Sequence, residues 1–237
     1  MIFDQSEFNI RCEWGEQGVA CLAPISDVVV IVDVLSFSTA VEIAANQGAV
    51  VFPYRWKDET AYSFAASVNA EVADKKNVNG FSLSPASLLN LPNGARLVLP
   101  SPNGSTLSLS TGSTRTIIGC LRNCRAAAES ALRTGRNIAL IPAGERWPDG
   151  TLRPCVEDLA GAGAIINFLK GTLSPEAAAA LAVFECMAGS TFERLKSCSS
   201  GKEKLERGEE RDIYLAAEFD VGGCVPVLTG GAFQREE

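Results

Sequence analysis

Four short segments carry the side chains that could do chemistry, and three of them follow apolar runs. Asp33-Val34-Leu35-Ser36 follows the β-branched run 28–32, Ser101-Pro102-Asn103-Gly104-Ser105-Thr106 follows 96–99, and Gly144-Glu145-Arg146 follows 137–141. The fourth, Glu157-Asp158, opens a helix-forming stretch. A carboxylate such as Asp33, at the end of a buried strand and facing a helix start, suits Mg²⁺ binding or nucleophilic attack on phosphorus. A capping or turn role is the plainer alternative for it. The amide and hydroxyls of 101–106 can cradle phosphate oxygens, or the Asn-Gly pair can make an ordinary turn. Arg146 can fork onto a phosphate or sulfonate, or pair with a surface acid. Glu157 and Asp158 complement a helix dipole, or one of them joins Asp33 and Glu145 at a metal. Neighbouring helical residues point about 100° apart, so only one of the two is expected to face a shared ion.

The chain of 237 residues contains no histidine. Ser-His-Asp and Cys-His hydrolases, HExxH metalloproteases and His-ligated zinc sites are therefore excluded. The chemistry must run on carboxylates, thiols, amines, backbone amides or an oxygen-ligated metal. Cys120, placed after a strand, is a lesser candidate nucleophile, because no cysteine has the Cys-x5-Arg spacing of the cysteine phosphatases. A Walker lysine loop and a G-x-S-x-G elbow are also missing. Net charge is −7, which disfavours nucleic acid and anionic membranes as partners. No run approaches the roughly 18 apolar residues of a membrane span. The eight cysteines include no CxxC pair and the N-terminus has no basic, apolar leader, so a reduced, cytoplasmic setting is expected.

The elements that must position these segments read as an α/β protein, a single domain over 1–237 with room for two lobes. Residues 28–32 form a strand buried on both faces, followed by a helix to about 45 with Ser36 or Ser38 as its cap and Gly48 as its stop. A strand at 49–52 would complete a crossover unit. Further strands are expected at 96–99, 116–119 and 137–141, with helices at about 58–76, 123–133, 155–170, 174–197 and 209–219. The stretch 77–95 reads as a long loop with one short helix, and 198–211 as a mobile connection or a solvated helix start. The last strand, 225–228, contains Pro226 and is expected at a sheet edge. If the first three segments leave parallel, neighbouring strands at their carboxyl ends, they meet in one crevice.

Taken in order, these segments resemble the 2-phosphosulfolactate phosphatase family. The carriers are Val32-Asp33-Val34-Leu35-Ser36-Phe37-Ser38-Thr39-Ala40, Ser101 to Ser105, Gly144-Glu145-Arg146, Glu157-Asp158-Leu159 with Gly161 to Ala164, and Asp212 with Val225-Pro226-Val227-Leu228. They span roughly 27–230, nearly the whole chain. The resemblance implies a three-layer α/β/α sandwich with a mixed, largely parallel sheet. It also implies a Mg²⁺-dependent phosphatase that converts 2-phospho-3-sulfolactate to sulfolactate and phosphate. Members of the family usually carry Arg where Ser36 stands, so the anion site is expected to shift onto Arg146 or Arg122, the substrate to differ, or activity to be lost.

The expected site follows. Asp33 and Glu145, with Glu157 or Asp158, hold Mg²⁺. Ser36, Ser38, Thr39, Ser101, Asn103, Gly104, Ser105 and Thr106 bind phosphate oxygens, and Arg146 neutralises a second anionic group. A phosphatase for another phosphorylated acid and a catalytically silent anion binder are the alternatives. Homo-oligomerisation is left open.

Overall fold

In the computed structural model, residues 2–76 and 80–236 are described. Short β1 (Ile10–Cys12) and α1 (Gly15–Leu22) precede β2 (Val28–Val32), whose five β-branched residues are all buried. Then come α2 (Phe37–Asn46), β3 (Val50–Tyr54), α3 (Thr60–Ser67), β4 (Glu71–Val72), β5 (Arg96–Pro100) and α4 (Gly104–Ser108). The next elements are β6 (Arg115–Ile118), α5 (Cys124–Thr134), β7 (Ile138–Pro142) and a small hairpin of β8 (Glu145–Arg146) and β9 (Leu152–Arg153). Helices α6 (Val156–Ile166), α7 (Pro175–Met187), α8 (Thr191–Ser197), α9 (Ser199–Glu206) and α10 (Glu210–Ala217) lead to β10 (Pro226–Thr229) and β11 (Ala232–Arg235). The expected long loop holds a 3-10 turn at Pro85–Leu88, and its positions 77–79 lie outside the described residues.

Nine strands form one mixed sheet in the order β1-β7-β2-β6-β10-β11-β3-β5-β4. Side chains alternate faces along a strand, and that alternation builds the layers. Val28, Val30 and Val32 pack with α5, α6 and α7, while Val29 and Ile31 pack with α1, α2 and α4. Leu97 and Leu99 of β5 join the second core, and Val98 faces the other way toward Ala61 and Ala65 of α3. The three-layer α/β/α sandwich implied by the resemblance is thus realised. No helix among the described residues is long and apolar enough to cross a membrane.

Several local expectations need correction: the helix expected at 58–76 stops at Ser67 before β4, and the one expected at 174–197 is divided into α7 and α8. Pro226 is not at an edge: β10 lies between β6 and β11. Its ladder to β6 is a single bridge, Val227 to Ile117, so a residue without an N–H is tolerated there. The strand β11 had no counterpart in the sequence reading, although Gly230-Gly231, both with positive φ, form the tight turn that returns the chain. The stretch 198–211 is ordered as α9 and the start of α10. It is anchored by buried Ser200 and Lys204, and the Cys198 thiol accepts the Gly201 N–H at 3.3 Å in the capping position.

Strand order also differs from a simple crossover. Three strands separate β2 from β3, and the β10–β11 hairpin joins two parallel groups, β1-β7-β2-β6 and β3-β5-β4. Three antiparallel junctions lie between them, so the groups run in opposite senses. Sheet twist of roughly 20–25° per strand rotates the two groups relative to each other. Helix α4, which follows β5, then packs against both β3 and β2.

Candidate active site

The loop after β2 is organised by one carboxylate. Asp33 is buried, and each of its oxygens accepts a main-chain N–H from the first residue of a helix. Oδ1 takes Phe37 of α2 and Oδ2 takes Gly104 of α4, both at 3.1 Å. Asp33 therefore caps α2, in place of Ser36 or Ser38. Ser36 holds the capping position without a side-chain bond, and the Leu35–Ser36 peptide is cis. Gly104 must be glycine for this approach, because a Cβ there would lie 2.2 Å from the Phe37 ring.

A second buried carboxylate ties the other loops. Asp158, in the first turn of α6, accepts the Val34 N–H and the Gly144 N–H, each at 2.8 Å. Glu145 accepts the Asn103 side-chain amide at 2.9 Å, linking the loops after β7 and β5. All four segments singled out by residue type thus meet, although β5 is not a neighbour of β2. Glu157 is also buried and lies against the Cys198 thiol.

Crowding these acids has an electrostatic consequence. Burial, then the negative charge of Glu145, pushes Asp33 up to about 7; the amides of Phe37 and Gly104 oppose this, and Glu157 adds to it. Burial, then Asp33 and Glu157, pushes Asp158 up as well, against the amides of Val34 and Gly144. An acid whose folded pKa exceeds its unfolded one binds its proton more tightly when folded. Its stabilising contribution is full below the unfolded value of 3.8 and is lost as pH rises to about 7. For Asp33 this loss is at most about 4 kcal/mol. In metal-free solution, the stability gap between Asp33→Asn and wild type is expected to move in the variant's favour from pH 4.5 to 7.5. Urea denaturation across that range measures it, and parallel curves would contradict the shift.

Several hydroxyls expected to face substrate are turned inward. Ser38 Oγ donates to Ile31 O and accepts the Asp33 N–H, Thr39 Oγ1 donates to Val34 O, and Ser105 Oγ donates to Leu99 O. All three side chains are fully buried. Ser101 is buried too, its N–H bonded to Tyr54 O. Asn103 and Thr106 instead line a cavity of about 230 Å³ beside Glu145 and Arg146. Arg146 is half-exposed, donates to Gly150 O at 3.0 Å and pairs with Glu16. Arg122 does not reach this cavity: Glu42, Glu218 and the Leu215 carbonyl enclose its guanidinium.

The far wall of the cavity was not foreseen. Trp14, Glu16 and Gln17 come from the β1–α1 segment, where three strand residues and one helix of eight offer little periodic signal. Cys120 is fully buried and outside the cavity, and burial pushes its thiol up to about 12, which disfavours the thiolate.

The donor chemistry around Asp33 fits Mg²⁺ in kind, because all the acids are hard oxygen donors whose repulsion a cation would relieve. Among the described residues no three acidic or thiol side chains form one ligand sphere. Mg²⁺ is commonly held by one or two carboxylates, with water and substrate phosphate completing the shell, and that mode suits Asp33 and Glu145.

A three-layer α/β/α protein whose buried acids and helix starts meet at carboxyl strand ends is built to handle a small anion. The chain belongs to the 2-phosphosulpholactate phosphatase family, whose model matches residues 20–231. It is therefore a phosphatase, a phosphoric monoester hydrolase. A relative from Carboxydothermus hydrogenoformans, "Probable 2-phosphosulfolactate phosphatase", is 29% identical, with 84% of each chain covered.

Proposed function

We propose that the protein hydrolyses 2-phospho-3-sulfolactate, or a close phosphorylated hydroxy acid, with Mg²⁺ as cofactor. The observation that carries the reading is the meeting of Asp33, Glu145, Glu157 and Asp158 near the starts of α2, α4 and α6, with Glu145 lining a cavity of about 230 Å³. Asp33 and Glu145 would hold the metal, and Asp158 keeps the two flanking loops in place. Bound Mg²⁺ supplies Lewis-acid stabilisation of phosphate oxygens and of the leaving alkoxide. Asn103 and Thr106 orient the phosphate, and Arg146 meets the second anionic group by leaving its weak surface pair with Glu16. In the reaction a water oxygen bonds to phosphorus as the ester P–O bond breaks. One water proton passes to a carboxylate of the group and from there to the departing alkoxide oxygen, which leaves as the hydroxyl of the hydroxy acid.

A different phosphorylated acid is the second reading. It is favoured by Ser36, which offers no charge, and by the enclosure of Arg122. Phosphate release from 2-phospho-3-sulfolactate and from phospholactate, each with Mg²⁺ and with EDTA, tests both. Release that falls to background in EDTA and returns with Mg²⁺ is the expected result. Equal rates with chelator would remove the metal from the scheme. A higher kcat/KM for phospholactate would favour the second reading.

A further inference from the structure

The second parallel group has its own carboxyl edge, and it opens onto a cavity of about 400 Å³. The segments leaving β3 and β4 supply Lys57, Asp74 and Lys76 to its walls, β5 ends there at Pro100, and Lys204 of α9 and the following Arg207 complete it. Ligands of open α/β sheets bind outside carboxyl strand ends, and small-molecule pockets run from about 300 to 1,000 Å³. This cavity shares no lining residue with the one beside Glu145. The segment 100–107 stands between them, with Pro100 on one side and Pro102 to Leu107 on the other.

Its charges are arranged unevenly. Lys204 is nine-tenths buried, held at 3.0 Å by Asp212 and at 2.9 Å by Glu209, which also pairs with Lys75. Asp212 is itself almost fully buried and fixes the opposite wall through the Ser84 hydroxyl at 2.6 Å and the Ala86 N–H at 3.1 Å. Asp58 and Asp74 are engaged by their own surroundings: Asp58 takes the Thr60 N–H, and Asp74 takes the Tyr62 hydroxyl and the Lys76 N–H. Glu59 stands exposed at the rim. By contrast the ammonium groups of Lys57 and Lys76 have no ion-pair partner among the described residues, and Arg207 meets only exposed Glu203 at 3.4 Å. Among the described residues, three cations of the wall, Lys57, Lys76 and Arg207, are thus without a buried counter-ion, in a chain of net charge −7.

We propose that this cavity is a second anion-binding site, distinct from the Asp33 centre, that takes a small molecule with two or more phosphate or carboxylate groups. Lys57, Lys76 and Arg207 neutralise it, and the Lys204–Asp212 pair braces the wall that carries Arg207.

Calorimetric titration of the full chain, freed of divalent ions on a chelating resin, with inorganic pyrophosphate in one arm and citrate in the other, tests the site. Saturable binding is expected in at least one arm, and the arms separate phosphate from carboxylate ligands. The triple variant Lys57→Ala, Lys76→Ala, Arg207→Ala, at exposed positions the fold does not need, should bind that probe about tenfold or more weakly. Asp33→Asn should bind it as wild type does. No saturable binding in either arm, unchanged affinity in the triple variant, or loss of binding in Asp33→Asn would each overturn the proposal. The last outcome would place the anion at the phosphatase centre.

Discussion

Replacing Asp158 with Ala is expected to lower the unfolding free energy by about 2–4 kcal/mol. Its carboxylate is the acceptor for the N–H groups of Val34 and Gly144, which lie in loops leaving two neighbouring parallel strands. Removing it leaves both donors buried without a partner, at about 1–3 kcal/mol each. Part of that cost is offset, because Asp33 and Glu157 no longer face another buried acid. Asp158→Asn keeps one acceptor and turns an NH₂ toward the other N–H, so it should fall between wild type and Ala. Urea midpoints at constant m measure the series. A midpoint for Ala indistinguishable from wild type would mean that water replaces the carboxylate and that the loops hold themselves.

The second large effect is on turnover. Asp33→Asn is expected to reduce Mg²⁺-dependent phosphate release by at least about 100-fold, the usual scale for losing a charged group that acts on the reacting centre. The amide removes the negative charge that makes Asp33 a hard-metal ligand. It also sets an NH₂ against either the Phe37 or the Gly104 N–H, both of which Asp33 accepts. Relief of a buried, repelled charge offsets that mismatch, so the variant should still unfold cooperatively. The decisive comparison is kcat/KM for 2-phospho-3-sulfolactate beside a thermal melt of the same preparation. A folded variant that keeps activity within about tenfold would take Asp33 out of the chemistry.

The absence of histidine bears on both results. With no imidazole in the chain, proton handling near neutrality falls to carboxylates, thiols, amines or water. Asp33 and Asp158 also hold the surrounding loops through their oxygens.

Much was legible from residue order alone, for reasons that are local. The run 28–32 declares a strand buried on both faces because β-branched residues leave no polar side. Asp33, Asn103 and Glu145 declare themselves by standing where such runs end, and Glu157 and Asp158 by standing where an apolar helix begins. The chemistry available was likewise set by residue types, since excluding imidazole leaves hard oxygen donors as the natural choice. What only the tertiary structure decided is which partner each polar atom meets. Ser38, Thr39 and Ser105 have the same hydroxyl whether they face a ligand or a carbonyl, and here Ile31, Val34 and Leu99 stand close enough to take the bond. Periodicity marks a buried face without naming the neighbouring strand, so Pro226 read as an edge residue although β11 covers it. The bond from Asp158 to Val34 spans 124 positions. No local preference encodes it; it forms because β2 and β7 pair side by side and α6 packs back across their ends.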